Sequence, residues 1–333
     1  MWWKPAATAL VPLLFWTVQS LAQTAGLDVF RRPETVPFPA SAPYDREIAA
    51  LGKMLFFDPR LSSGRNISCS SCHNPSFGWE VPAPKPIGAA NKPVRRHAPT
   101  LINAAWITPL HWDGRTESLE EQAIGPITDP TKMNATFDGI TQRLSAVEDY
   151  RIWFARLFPE QGIGKETVLT ALATYQRTIV SGSASFDRWV EGDETAISDA
   201  AKRGFELFAG KANCTVCHSG WMFTNNQLYD IGLETTDLGR GALEPSDPDQ
   251  KYRFKTPGLR SIALRAPYMH NGSLRSLEEV IRHYASGGAA AEGRPTDISA
   301  FDISSNETAD LIAFLETLTG TDSNVPTPIL PAN

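Results

Sequence analysis

"GKMLFFDPRLSSGRNISCSSCHN", residues 52–74, and "RGFELFAGKANCTVCHSG", residues 203–220, decide how this chain is read. Each runs from an amphipathic helical pattern through Leu-Phe to Cys-x-x-Cys-His: Cys69, Cys72 and His73 in the first, Cys214, Cys217 and His218 in the second. Two cysteines three residues apart project from one side of a helical turn. They can form thioethers with the two vinyl groups of one porphyrin, and the histidine that follows comes under the ring to offer a nitrogen to iron. Zinc sites or two disulfides are the rival readings, but neither explains why each cysteine pair is followed at once by histidine. The motifs use all four cysteines. The expectation is two covalently bound haem c groups with His73 and His218 as proximal ligands. Of the six histidines, His97, His111, His270 and His283 are left for other work.

At 333 residues the chain has room for two domains with separate cores. Its net charge of −6 is scattered, which argues against a nucleic-acid surface. Near the start, Lys4 precedes the apolar stretch "PAATALVPLLFWTV", and Ser20-Leu21-Ala22 has the small-x-small form of a cleavage site. Residues 1–22 therefore read as a signal peptide and the mature chain as beginning at Gln23. An uncleaved anchor is the alternative, although the apolar run is shorter than the ~20 residues a span needs. No later segment has the apolar length for stable membrane insertion, so the expected compartment is the bacterial periplasm. Helical periodicity marks 165–182, closed by Gly182, and 307–320, closed by Gly320. Strand signals are sparse, the proline-rich 81–99 reads as an extended surface loop, and 183–198 as a link. The fold class that results is mainly α, with two cytochrome-c-like domains over 23–184 and 185–333.

A second duplication lies between the motifs. Residues 98–122, "APTLINAAWITPLHWDGRTESLEEQ", align without a gap on 256–280, "TPGLRSIALRAPYMHNGSLRSLEEV", with nine of 25 positions identical. Both copies end in "SLEE", a capping box: Ser118 with Glu121, and Ser276 with Glu279. The second helix reaches Tyr284, and the same register in the first reaches Pro126. If this helix supplies the sixth ligand of the second haem, its counterpart offers a proline, which cannot bind iron. One haem is then closed and the other open to an exogenous ligand, and no His or Met lies between His73 and His97 to fill the gap.

The sequence resembles the bacterial dihaem cytochrome c peroxidase and MauG family. The likeness rests on "LGKMLFFDPRLS", both haem motifs, "HAPTLINAAW", "WDGRTESLEEQAIGP", "RTIVSGSASFDRW", "FKTPGLRSIALRAPYMHNGS" and "LIAFLETLTG", and covers nearly the whole mature chain. It implies that the haem of the N-terminal domain reacts with hydrogen peroxide, that the C-terminal one transfers electrons, and that Trp112 relays charge between them. It implies Tyr284 as sixth ligand of the second haem, as in MauG-like members, where the peroxidases have methionine. His283 and Met269 are the rival ligands. Gln122 and Pro126 match the family's distal pocket, but Lys132 stands where a glutamate usually serves as acid–base. Asp129, Glu121 or Lys132 itself would then have to move the proton. His97 replaces an asparagine that helps hold calcium between the domains of relatives, which leaves calcium in doubt. The implied partners are a small cytochrome or copper protein as electron donor, or a protein whose side chains are oxidised; a homodimer is compatible with either. A dihaem electron carrier without catalysis is the alternative of another class, and Lys132 is the reason to keep it.

Overall fold

The computed structural model describes residues 26–290, 294–321 and 325–332; the expected signal peptide, 1–22, lies outside them. The protein is mainly helical. The first half holds α1 (Arg46–Phe57), α2 (Leu119–Thr128), α3 (Phe137–Ser145), α4 (Glu148–Leu157) and α5 (Lys165–Arg177). The second holds α6 (Ser185–Val190), α7 (Asp199–Ala209), α8 (Leu277–Ala285) and α9 (Ser305–Glu316). A short antiparallel pair, β1 (Leu228–Tyr229) with β2 (Phe254–Lys255), is the only sheet among the described residues. No helix there is long and apolar enough to cross a membrane.

Two hydrophobic clusters organise these elements. The first gathers Leu51, Leu55 and Phe56 of α1 with Val168 and Leu172 of α5, together with Ile140, Tyr150 and Phe154. In the second, Phe208 of α7 meets Phe314 of α9 at 5.1 Å between ring centroids, and Phe186 and Phe223 close the cluster. Each such ring stabilises the fold by roughly 1.5–3 kcal/mol through burial. The two helix pairs cross in the same way. A Cβ at Gly52 would collide with the Ala171 carbonyl of α5, and one at Gly204 with the Asp310 carbonyl of α9. Only glycine lets either backbone approach so closely. The chain ends cross over: Leu27 and Phe30 join the second cluster, while Val325 and Leu330 pack on the first.

Three readings of local structure need adjustment. The helix expected over 165–182 stops at Arg177, because Ile179 and Ser181 turn away to bond Asn103. The helix expected over 307–320 begins at Ser305, capped by Ser304 with Glu307, and stops at Glu316. The stretch 183–198 is more than a link: it contains α6 and buries Phe186 and Trp189 in the second cluster.

Candidate functional site

Both cysteine-histidine motifs start in a tight 3-10 turn, Cys69–Ser71 and Cys214–Val216. Each turn is extended by the histidine N–H, which donates to the first cysteine's carbonyl: His73 to Cys69 at 2.9 Å and His218 to Cys214 at 2.8 Å. The cysteines of each pair therefore share a side, as the thioether reading requires. Nδ1 of His73 lies 3.2 Å from the Trp79 carbonyl, and Nδ1 of His218 lies 2.8 Å from the Phe223 carbonyl. A carbonyl can only accept, so Nδ1 carries the proton and Nε2 keeps its lone pair for a metal. Trp79 and Phe223 both adopt positive φ, 62° and 56°, which turns the carbonyls toward the rings.

Burial sets the charge state of these groups. It lowers both histidines to about 4, so they are neutral at pH 7. It raises the thiols of Cys69 and Cys214 to about 12 and that of Cys72 to about 11. The four cysteines are free rather than paired. Among the described residues no group of three or more His, Cys, Asp or Glu converges as a zinc site would need. A neutral imidazole with an available lone pair beside two protonated thiols fits a covalently held haem, in both halves.

A cavity of about 370 Å³ opens against the second motif, within the range of cofactor sites. Cys214, Cys217 and His218 line it, and so do Tyr284, Met269 and His270. Tyr284 projects into it from α8. Burial, with lesser contributions from Cys214 and Cys217, holds its phenol well above the ordinary tyrosine range. His283, the neighbouring rival, turns away and places Nε2 2.9 Å from the Ile231 carbonyl. Met269 lines the same cavity while packing on the second cluster.

The duplicated segment repeats in the backbone as well as in the sequence. Thr108-Pro109 and Ala266-Pro267 are both cis. Asn103 and Ser261 have φ of 61° and 57°, His111 and Met269 65° and 76°, and Gly114 and Gly272 both 66°. The turns close on matching bonds, Leu110 N–H to Thr116 O and Tyr268 N–H to Leu274 O, each at 2.7 Å. Ser118 and Ser276 then cap α2 and α8 by accepting from the N–H of Glu121 and Glu279. In this register Pro126 lies inside α2 where Tyr284 stands in α8.

The first site is assembled from α2 and the segment after it. Gln122 and Pro126 lie on α2, and the Pro126 carbonyl accepts from Met133 N–H at 3.2 Å. Lys132 Nζ is 3.1 Å from Asp129 Oδ2. The charge of Lys132 reaches both Cys72 and His111. The two carboxylates offered as substitutes are engaged elsewhere. Asp129 accepts from Thr131 and pairs with Lys132, which holds it below the usual carboxylate range, and Glu121 accepts from Glu117 N–H. His111, to which the sequence reading gave no role, lies beside Gly125 of α2, and burial lowers it to about 3. The signal that would have found it is the duplication itself, which pairs His111 with the cavity-lining Met269.

Trp112 stands where the halves meet. Its Nε1–H donates to the His97 carbonyl at 2.8 Å, and its own carbonyl accepts from Lys255 N–H at 2.7 Å. The His97 N–H donates to the His270 carbonyl at 2.8 Å, and the His270 ring stacks on Phe254 at 3.6 Å. Trp112 and His270 are 6.4 Å apart, centroid to centroid, and both line the cavity. The His97 ring is engaged at both nitrogens, Nε2 with Glu80 Oε2 at 2.9 Å and Nδ1 with the Ala83 carbonyl at 3.1 Å.

The helical fold, the two repeated motifs and the cavity beside one of them define a di-haem oxidoreductase, and the chain belongs to the di-haem cytochrome c peroxidase family. The profile of that family, "Di-haem cytochrome c peroxidase", matches residues 46–195. Among individual relatives, the "Methylamine utilization protein MauG" of Methylorubrum extorquens is 49% identical over 305 residues, covering 91% of this chain and 86% of that protein. The "Cytochrome c551 peroxidase" of Nitrosomonas europaea is 32% identical over 329 residues, covering 97% of this chain and 95% of that one. Among solved structures, "a MauG-like protein associated with microbial copper homeostasis" superposes with a TM-score of 0.80 at 31% identity, over 87% of this chain and 95% of its own.

Proposed function

We propose that this protein is a periplasmic dihaem c-type oxidoreductase of the MauG kind, which consumes hydrogen peroxide and takes the electrons from side chains of a partner protein. The observation that carries the reading is the pair Tyr284 and Pro126: one register of a duplicated helix, with a cavity-facing phenol in one copy and a proline in the other. The greater likeness to MauG than to the cytochrome c551 peroxidase supports the choice of electron source. A small cytochrome or copper protein as donor is the second reading, favoured by the peroxidases among the relatives.

In this reading the chain divides at about 184, with the peroxide-reactive site in 23–184 and the electron-transfer site in 185–333. Cys69, Cys72 and His73 hold one haem, and Cys214, Cys217, His218 and Tyr284 the other. When bound, the haems supply one-electron chemistry at iron and the reduction of peroxide to water. The residues do the rest. Tyr284 is neutral without a metal, so its use as ligand requires loss of the phenolic proton. Pro126 keeps the first site accessible to peroxide, with Gln122 beside it. Trp112, held by the His97 carbonyl, lies on the path between the sites. Proton transfer within peroxide requires a group able to accept first, and a protonated Lys132 cannot. His111, beside Gly125 of α2, is neutral and has a free lone pair to accept with, although its burial makes it a weak base. Calcium is left out of this reading: it takes oxygen ligands, and the His97 side chain that stands in place of the relatives' asparagine offers only ring nitrogens, bonded to Glu80 and the Ala83 carbonyl.

Two substitutions test the two sites. Tyr284→Phe should replace the low-spin signal of one ferric haem by a high-spin one and leave two haems attached. An unaltered signal would move the ligand to Met269. Lys132→Glu should raise the rate of reaction with peroxide by about 10²-fold, the lower range for a well-placed acid–base, measured by stopped-flow absorbance. An unchanged rate would mean that position 132 does not face the peroxide.

A further inference from the structure

Lys255 is only 8% exposed, yet among the described residues its Nζ has neither a hydrogen-bond acceptor nor an ion-pair partner. The charge that acts on it is another cation, Arg265, which is 3% exposed. Both line the cavity that holds His218 and Tyr284. The cavity's carboxylates do not relieve this. Glu80 is taken by His97 at 2.9 Å, by Arg265 at 3.3 Å and by Thr100 N–H at 3.1 Å. Asp297 is paired with Arg253 at 2.8 Å and accepts from Asp230 N–H. Burial and Arg265 lower Lys255 to about 8, which leaves it largely charged at pH 7. A buried ammonium with a cation for a neighbour and no anion is strongly unfavourable, unless whatever fills the cavity brings the missing charge.

We propose that Lys255 pairs with a carboxylate of the prosthetic group bound in this cavity, that is, a haem propionate. The inference rests on the reading that the cavity takes the second haem. The Lys255 N–H also bonds the Trp112 carbonyl, so the same residue ties the anion-holding strand to the proposed relay. A cation fixed beside the haem favours the reduced state, which carries one positive charge fewer at iron.

The experiment measures the reduction midpoint of each haem in the full chain by spectroelectrochemistry, for the wild type, Lys255→Met and Lys255→Arg. Haem content is counted for each from the absorbance of the pyridine complex. Lys255→Met should lower the midpoint of the haem held by His218 by at least tenfold in the reduced-to-oxidised ratio, about 59 mV for one electron. Lys255→Arg should restore most of it. Lys255→Gln serves in the same way if the methionine variant does not accumulate. An unchanged midpoint with two haems per chain overturns the assignment of Lys255 alone. A wild type with no haem on the 214–218 motif overturns the reading beneath it. A wild-type midpoint that moves with chloride or phosphate concentration, and no longer does so in Lys255→Met, gives Lys255 to a dissolved anion and overturns the proposal as well.

Discussion

Trp112→Phe is expected to leave two haems on the chain and stop the second site from sharing in the oxidation that peroxide causes at the first. The indole lines the cavity beside the second motif, and its Nε1–H and carbonyl are bonded to His97 and Lys255, one from each half. Phenylalanine keeps the packing of an aromatic ring but is much harder to oxidise, and it loses the donor to His97. After peroxide, the absorbance change should be confined to one haem, and oxidation of a protein donor should fall to near background. Trp112→Tyr, which retains an oxidisable ring, should recover part of the activity. Undiminished sharing in Trp112→Phe would mean that charge moves by another route, for which the His270–Phe254 stack is the first candidate.

Gly204→Val should be the most damaging single change to the fold of the second half. A Cβ at 204 would meet the Asp310 carbonyl and the Cβ of Phe314, neither of which can retreat without moving α9. Separating α7 from α9 would also open the Phe208–Phe314 contact in the middle of the second cluster. The expected loss is on the order of 3 kcal/mol, read as a lower denaturation midpoint. Gly204→Ala should change stability in the same direction by less. A valine variant with the wild-type midpoint would mean that the helices do not cross at this glycine.

How much of this was legible in the sequence depended on whether a feature is local. The Cys-x-x-Cys-His turns, the caps at Ser118 and Ser276 and the register joining Pro126 to Tyr284 are set by spacing within one segment, and the backbone of the duplicated segment repeats with closely similar angles. The end of α5 was misjudged because Gly182 is a local stop signal, whereas the tertiary bonds of Ile179 and Ser181 to Asn103 end the helix at Arg177, five residues earlier. Residues 183–198 read as a link, although Phe186 and Trp189 have a core to enter. His97, His111 and Lys255 were the least legible. What each can do follows from partners far along the chain: Glu80 and His270 for His97, α2 for His111, and for Lys255 the lack of a counter-charge among the described residues. No pattern in one segment records such a meeting.

The central claim is that two haems share one chain, one closed by a protein ligand and one open to peroxide. Electron paramagnetic resonance of the resting ferric protein, before and after one equivalent of peroxide, tests it most directly. One high-spin and one low-spin signal, both lost or altered on adding peroxide, is the predicted result. Two low-spin, six-coordinate haems that peroxide leaves unchanged would contradict it and make the protein an electron carrier.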